Sequence, residues 1–521
     1  MKRLLIWIVA IIAIAVNVST AGSRDDLWQQ VDNAVDQRLP KTAIELLEQI
    51  IPGAQEDQAY AEAIRAICLK ISLESQTQMG RGGRPVSNPV DKIVLLEAEI
   101  ANSPDPMKPV METILAHWYW QYYQQNSRRF IERTQTTEPP GEDITTWDLP
   151  RIMAEIDLHF TLALEAEQQL KTIPISEYDD LLEKGTVPDS YRPTLYDFLA
   201  FEALSFYSSA EQAGVKPQDT FEIMADTPIF GTVAEFLEWQ PETTDTDSAK
   251  LKAIGLYQDL LSFHQEDSDK TAFIDADLHR LMFAKNYALG PDKTSLYVTA
   301  LERFVDKWAD HEISAQALAE WAGIVHSQGD YLQAHALASR GWETYPDSVG
   351  GTRCYNLIQY IEAKSATIKT ERVWNDPLPD IQVTYRNVTR VYFKAIPLNA
   401  ADAIQPEWRH INSDELKDLL TRYKPVLEWE ADLPATDDYK ERTEKLPAPD
   451  DLAKGFYFII ASYDPSFEKS DNRVSVARIW VSDLALVVRN LNKERTVEGF
   501  VLDAKSGRPI AEAMVTRWTY N

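Results

Sequence analysis

From Asp25 to about Thr370, apolar residues recur at helical spacing, one amphipathic stretch following another. Leu27, Val31, Ala34 and Val35 fall on one face; after Leu39-Pro40, residues Ala43, Leu46, Leu47 and Ile50 repeat the pattern, which predicts two antiparallel helices. The spacing predicts further helices over 90–101, 107–130, 149–170, 251–264 and 296–308. Around Asp330 the pattern resembles a tetratricopeptide unit. Ala317, Ala319, Trp321, Ala322 and Val325 lead into the turn Gln328-Gly329-Asp330-Tyr331, then Ala334, Ala338 and Trp342 lead to Tyr345-Pro346. Small alanines let paired helices approach, Gly329 allows the tight turn, and Pro346 stops the second helix. No single period runs through the region, so an irregular α-solenoid is expected over 22–370. Segments rich in Gly, Pro, Thr or acids at 78–88, 134–146 and 214–248 read as surface loops.

The period changes near Trp374. Pro377 and Pro379 forbid helix continuation, and Val383 and Tyr385, then Val391, Phe393 and Ala395, alternate as strands do. Further strands are predicted over 455–463, 473–481 and 484–489. Large apolar residues on both faces of 456–463 suit a central strand of a β-sandwich. The sandwich is expected over 372–490, interrupted by a helical insertion at 414–423 and an acidic, Pro-rich separator at 428–451. Residues 493–521 read as the start of a further β-domain: Val497, Gly499 and Val501 alternate, Ser506-Gly507 turns, and a return strand runs over 510–518. Two strands do not bury a core, so this domain is expected to be incomplete here and to continue beyond Asn521. The fold class is therefore multidomain, α then β: a tetratricopeptide-like solenoid, a sandwich of antiparallel strands, and the beginning of another β-domain.

Lys2 and Arg3 precede an apolar run from Leu4 to Val16, followed by Ser19-Thr20-Ala21. This predicts a signal peptide over 1–21 and export to the periplasm or cell envelope, since the run is shorter than the roughly 20 residues a membrane span needs. With 521 residues, 44% of them apolar, the chain has material for more than one core. Its formal charge of -29 argues against nucleic acid and anionic lipid as partners. The two cysteines, Cys68 and Cys354, are too few for a disulfide scaffold. Each reads as a small buried apolar residue, and a single bridge between them stays open.

The sequence supplies no catalytic constellation. His311-Glu312 begins like a zinc-protease helix, but Ala315 stands where the second histidine is needed. His326 and His335 flank the Gly329 turn and read as hydrogen-bonded packing residues. Asp267-Ser268-Asp269-Lys270-Thr271 imitates a calcium loop, yet Ala272 takes the glycine position and Leu278 that of the bidentate glutamate, so a solvated helix end is expected. Met79-Gly-Arg-Gly-Gly-Arg84 lacks the Lys-Ser or Lys-Thr of a phosphate loop. The aromatic run His117-Trp-Tyr-Trp-Gln-Tyr-Tyr123 points around a whole helix and reads as core rather than a sugar platform. No Gly-x-Ser-x-Gly elbow occurs. No catalytic, cofactor-binding or metal residue is assigned, no cofactor is expected, and the chain is not expected to be an enzyme.

Several stretches resemble the amino-terminal part of large bacterial alpha-2-macroglobulin family proteins. They are Arg192-Pro-Thr-Leu-Tyr-Asp-Phe-Leu-Ala200, Val383-Thr-Tyr-Arg-Asn387 leading into Val391-Tyr-Phe393, Gly455-Phe-Tyr-Phe458, Val481-Ser-Asp-Leu484, and 499–515 with Ser506-Gly-Arg-Pro509. The resemblance implies that the sandwich is macroglobulin-like and that the partners are proteases. It further implies endopeptidase inhibition by bait cleavage and trapping, with the active parts beyond residue 521. The thioester motif of many members, Cys-x-Glu-Gln, is absent: Cys68 is followed by Leu69-Lys70-Ile71 and Cys354 by Tyr355-Asn356-Leu357. The alternative reading is a cell-envelope scaffold or adhesin whose helical repeats bind a protein partner.

Overall fold

The computed structural model of the chain describes residues 3–4, 24–77, 89–132, 141, 143–209, 221–399, 420–467, 472, 474–491 and 496–515. The expected signal peptide apart from Arg3 and Leu4, the loop at 78–88, most of the loop at 134–146, the start of 214–248, most of the insertion at 414–423 and the end of the return strand lie outside them. Two compact units form: Met1–Ala317 with Asp347–Gly350, and Leu318–Pro346 with Gly351–Asn521. The amino-terminal part is rich in helix and is followed by antiparallel and mixed β-sheets. Among the described residues no helix is long and apolar enough to cross a membrane.

The first unit contains α1 (Asp25–Asp36), α2 (Pro40–Glu56), α3 (Tyr60–Thr77), α4 (Pro89–Asn102), α5 (Lys108–Ile131), α6 (Leu149–Leu164), α7 (Glu167–Leu170), α8 (Leu195–Tyr207), α9 (Val233–Glu238), α10 (Ala249–His264), α11 (Thr271–Tyr287) and α12 (Lys293–Lys307). Short turns, in which Arg38 and Gln58 take left-handed φ of 57° and 59°, fold α1 to α3 onto one another. Val31, Ala34, Ala43, Leu47, Ile50 and Ala66 then share one buried cluster, along the stripe the spacing predicts. Ion pairs fasten the same layers. Arg24 donates to Glu62 and Asp57 at 2.6 and 2.7 Å, and Lys70 lies 3.5–3.9 Å from Glu48, Glu74 and Glu99 on three successive helices.

Three features of this unit differ from the sequence expectation. The helix predicted over 149–170 stops at Leu164, where Glu165 N–H tightens onto Leu162 O, and resumes as the single turn α7. The helix α11 gave no periodic signal because it is buried nearly all round, from Phe273 and Ile274 to Leu281 and Ala284. The stretch 221–238 is no surface loop, whereas 239–248 is unburied coil and turn, as expected. Phe221, Ile223, Ile229, Phe230 and Phe236 are buried, and Thr232 with Glu235 forms a reciprocal capping box that starts α9.

The second unit holds α13 (Ser314–Ser327) from Leu318 onward, α14 (Tyr331–Thr344) and α15 (Val349–Glu362) from Gly351 onward. Gly329 has φ +85° between α13 and α14, and the Asp330 carboxylate accepts from Gln333 N–H to cap α14. The strands are β1 (Ser365–Lys369), β2 (Val373–Trp374), β3 (Asp380–Arg386), β4 (Arg390–Leu398), β5 (Leu427–Asp432), β6 (Arg442–Pro447), β7 (Gly455–Ser462), β8 (Ser475–Val481), β9 (Leu484–Leu491) and β10 (Thr496–Asp503). A further two-residue pair, Arg3–Leu4 with Leu182–Glu183, belongs to the first unit. One sheet has the order β2-β8-β7-β4-β5 and another β1-β3-β6; all neighbours run antiparallel except β2 with β8. Ile381, Val383 and Tyr385 of the small sheet and Val391, Phe393, Ile459 and Ile479 of the large one share a single buried cluster. The other face of β4 and β7 carries Ile396, Phe458 and Ile460 in a second cluster, which is why β7 is apolar on both faces.

Strands begin at Ser365, ahead of the Trp374 boundary: in β1 Ala366 and Ile368 face the core, but the run is only five residues long and directly follows a helix. The acidic separator expected over 428–451 contains β5 and β6. Both are edge strands; on β5 the charged residues alternate outward, Arg390 meeting Glu430 and Asp432 at 2.9 and 2.8 Å, whereas on β6 Thr443, Lys445 and Pro447 face outward. The strand β9, expected in the sandwich, pairs with β10 in a separate two-stranded sheet. The return strand over 510–518 is absent from its described part: Ile510 N–H donates to Val501 O, but Glu512 turns left-handed at φ 57° and ends the extension.

Helices and sheets are joined within the second unit at the left-handed Asn387. Its Nδ2 donates to Ile361 O at 2.8 Å, and Tyr439 packs with Val325, Ala334 and Ile361. Gly351 sits so close to the end of α14 that an added Cβ would lie 1.9 Å from Tyr345 O, whereas Gly323, mid-helix in α13, has no neighbour within 4 Å. Opposite outcomes follow in urea unfolding. Gly351→Ala is expected to destabilise by about 3 kcal/mol or more through overpacking, and Gly323→Ala to stabilise by about 0.5–1 kcal/mol.

Candidate functional site

The stretch Arg192–Ala200 builds the polar centre of the helical unit. Thr194 caps α8: its Oγ1 accepts from Asp197 N–H, while Thr194 N–H and Oγ1–H donate to Asp197 Oδ2 at 2.9 and 2.8 Å. That occupies one carboxylate oxygen. The other, Oδ1, lies 2.7 Å from Nε2 of His264 at the end of α10, and both residues are buried. Nδ1 of the same ring is 2.6 Å from Asp267 Oδ2 in the turn that follows.

Arg192 reaches the other way, toward α11. Its guanidinium lies 3.5 Å above the Phe201 ring, with Nε 3.4 Å from Asp275 Oδ2 and Nη2 3.4 Å from His279 Nε2. Burial by itself would raise the Asp275 carboxyl, but His279 and Arg192 beside it outweigh this and hold it below the ordinary carboxylate range. Next to it Tyr191 O–H donates to Glu312 Oε1 at 2.9 Å. The glutamate of the incomplete zinc-helix motif is thus a hydrogen-bond acceptor, and His311 Nε2 lies 3.1 Å from Thr271 Oγ1.

A turn along α11, Arg280 is 1% exposed. Its Nε and Nη2 donate to Asp277 Oδ1 at 3.0 and 2.6 Å, Nη1 to Ile229 O at 3.0 Å and Nη2 to Gly231 O at 3.1 Å. Phe236 lies under the guanidinium at 4.8 Å, and Arg303 donates to Phe230 O and Gly231 O at 2.8 Å. None of these residues was singled out in the sequence. The available signals were the Thr232/Glu235 capping spacing and an Asp277/Arg280 pair three apart within an apolar helix.

The other sequence candidates are structural too. In the run 117–123, Tyr119, Tyr122 and Tyr123 are buried, His117 lies 2.8 Å from Glu202 and Tyr119 O–H donates to Glu97 at 2.5 Å; the rings pack between helices. His159 adds a parallel contact, 2.6 Å from Glu112 and stacked on Tyr119. His326 lies between Tyr331 and Tyr360, and His335 is 2.7 Å from Glu362 and stacked on Tyr439. Asp269 accepts from Thr271 N–H and O–H at the start of α11, the helix end expected there. Met79–Arg84 lie outside the described residues.

Both cysteines are buried thiols, and burial pushes Cys68 up to about 12 and Cys354 up to about 11, far from a reactive thiolate. Among the described residues no group of three His, Cys, Asp or Glu is placed to hold a metal ion. An open groove of about 510 Å³ is lined by Gln125, Asn126, Ser127, Arg128, Arg129 and Glu132, where Asn126 departs from helical geometry in α5. Chemically, Asp197 with His264 and Arg192 with Asp275 make paired, buried contacts between segments of the helical unit, and Arg280 with Asp277 holds the 229–231 carbonyls. No family model, curated protein or solved structure matches this chain.

The Arg280 contacts make a sharp prediction. Arg280→Met leaves Asp277 buried without its partner and is expected to cost about 3–5 kcal/mol in urea unfolding, with much of the loss recovered when Asp277→Asn is added. Removing the exposed Arg128–Glu132 pair by Arg128→Ala should leave the midpoint unchanged.

Proposed function

We propose that the chain is the amino-terminal part of an exported alpha-2-macroglobulin-like protein, a non-enzymatic endopeptidase inhibitor that acts by bait cleavage and protease trapping. The observation that carries this reading is where the quoted stretches fall. Val383–Asn387 covers the end of β3, Val391–Phe393 lies in β4 and Gly455–Phe458 opens β7, and these three strands supply most of the cluster shared by the two sheets. On this reading the paired sheets are a macroglobulin-like sandwich, and the two-stranded β9–β10 sheet starts the next β-domain. The helices form an irregular, tetratricopeptide-like solenoid that presents an extended surface, as helical repeats do. Bait segment and any thioester are assigned to other parts of the gene product, and this segment contributes shell and orientation.

A scaffold or adhesin reading is favoured by one feature, the partly exposed pair Trp342 and Tyr355 on α14 and α15, whose rings lie 5.4 Å apart. Rigid aromatics at a surface suit protein contacts. One experiment separates the two. The protein expressed from the intact gene, incubated with a broad-specificity protease, should be cut in one region and then shield that protease from large protein substrates while small peptides are still hydrolysed. Equal loss of both activities, or no shielding at all, overturns trapping.

A further inference from the structure

Ionised carboxylates accept hydrogen bonds and donate none. His264 has a carboxylate oxygen 2.7 Å from Nε2 and another 2.6 Å from Nδ1, so both contacts are hydrogen bonds only when both ring nitrogens carry a proton. We propose that His264 is a proton-gated joint: as imidazolium it ties the start of α8 to the turn between α10 and α11, and on losing a proton it releases that turn.

The two carboxylates differ in what release would cost. Asp197 is 1% exposed and already committed to the Thr194 cap, whereas the Asp267 side chain is 42% exposed. Stranding a buried carboxylate is far more costly than returning a half-exposed one to water. The remaining proton therefore stays on Nε2 toward Asp197. Nδ1 becomes an acceptor facing a carboxylate, and Asp267 moves away with residues 265–270. That turn is held otherwise by Asp267 N–H to His264 O at 3.3 Å, Lys270 Nζ to Gln265 O at 2.6 Å, and the Asp269 cap on Thr271.

The charged groups nearby do not replace the contact. Lys171, from α7 and its end, pairs with Glu167 and lies over Tyr196 and Phe263 at 4.6 and 4.7 Å. Asp259, on the same helix as His264, has its carboxyl raised by burial and by Glu167. Asp197 from α8 and Asp267 from the turn are the groups that meet the ring itself. Burial alone would lower the imidazole, but hydrogen bonds to Asp197 and Asp267 outweigh it and raise it above its ordinary value. A raised histidine stabilises fully below its unfolded value near 6.5 and loses that contribution as pH rises through the folded value. The joint is thus tight in acid and loosens on the alkaline side.

The test is backbone hydrogen exchange of the full chain from about pH 5.5 to about pH 9, expressed as protection factors so that the intrinsic pH effect is removed. One proton separates the closed and open turn, so protection of 265–271 should fall roughly tenfold per pH unit across the step, while α2 and α3 stay level. In His264→Gln the step should vanish. In Asp267→Asn, whose amide can accept from imidazolium or donate to neutral imidazole, the step should also vanish although the buried Asp197 contact is kept. A wild-type turn with level protection, or the same step persisting in Asp267→Asn, overturns the proposal. The second variant alters a half-exposed group and keeps the test decisive if His264→Gln does not fold.

Discussion

A charge that cannot reach water must find its opposite inside the protein, and in the helical unit that requirement fixes where whole segments run. Arg280 is the clearest case. Four of its donor hydrogens are met by Asp277 and by the carbonyls of Ile229 and Gly231, so the path of the 228–231 turn is tied to the position of the guanidinium. Arg303 on α12 donates to the same Gly231 carbonyl and to that of Phe230. The path of 221–239, including α9 and its buried Phe236, is set by two guanidiniums on two helices. Arg192 and Asp275 do the same between the α8 entrance and α11. Such pairs add little net stability over an apolar core, but removing one partner is expensive, so they select one arrangement against others.

The strand region handles charge in the opposite way. Its clusters are almost wholly apolar, and many of its acids and bases are carried by edge strands: Glu428, Glu430 and Asp432 on β5, Arg442, Glu444 and Lys445 on β6. An edge strand with alternating charge resists pairing with another chain, and it also reads poorly as a strand. The β9–β10 sheet is different in kind, since Leu486 and Val487 on one strand and Phe500 on the other remain exposed, Phe500 by 64%. Between these extremes, Asn387 and Tyr439 bond strand-region loops to α13, α14 and α15, so the compact unit is not bounded by the change from helix to strand.

What could be read from the residues follows from how local each property is. Helical spacing in α1, α2, α4, α5, α10 and α12, the turn at Gly329, and the core strands β3, β4, β7 and β8 are written in contiguous residues. The burial of the 117–123 rings follows from their distribution around one helix. By contrast α11, buried nearly all round, has no contrasting face; β1 is a five-residue run directly after a helix, the alternation of β5 lies inside a segment dominated by acids and prolines, and β6 does not alternate in hydrophobicity. The pairing of β9 with β10 depended on where the chain leaves the larger sheet at Ser482, which no alternation encodes.

The polar centre lies at the far end of that scale. The sequence alone determined that helices precede strands, which faces of them are apolar, and that neither cysteine belongs to a Cys-x-Glu-Gln motif. Only the tertiary structure decided that Asp197 meets His264 across 67 residues, that Arg192 meets Asp275 across 83, and that Arg280 closes on Ile229 across 51. The reason is physical: periodicity reports the average environment of a segment, while a buried ion pair is a contact between two particular atoms, and many acids in a chain of charge -29 could have supplied the partner.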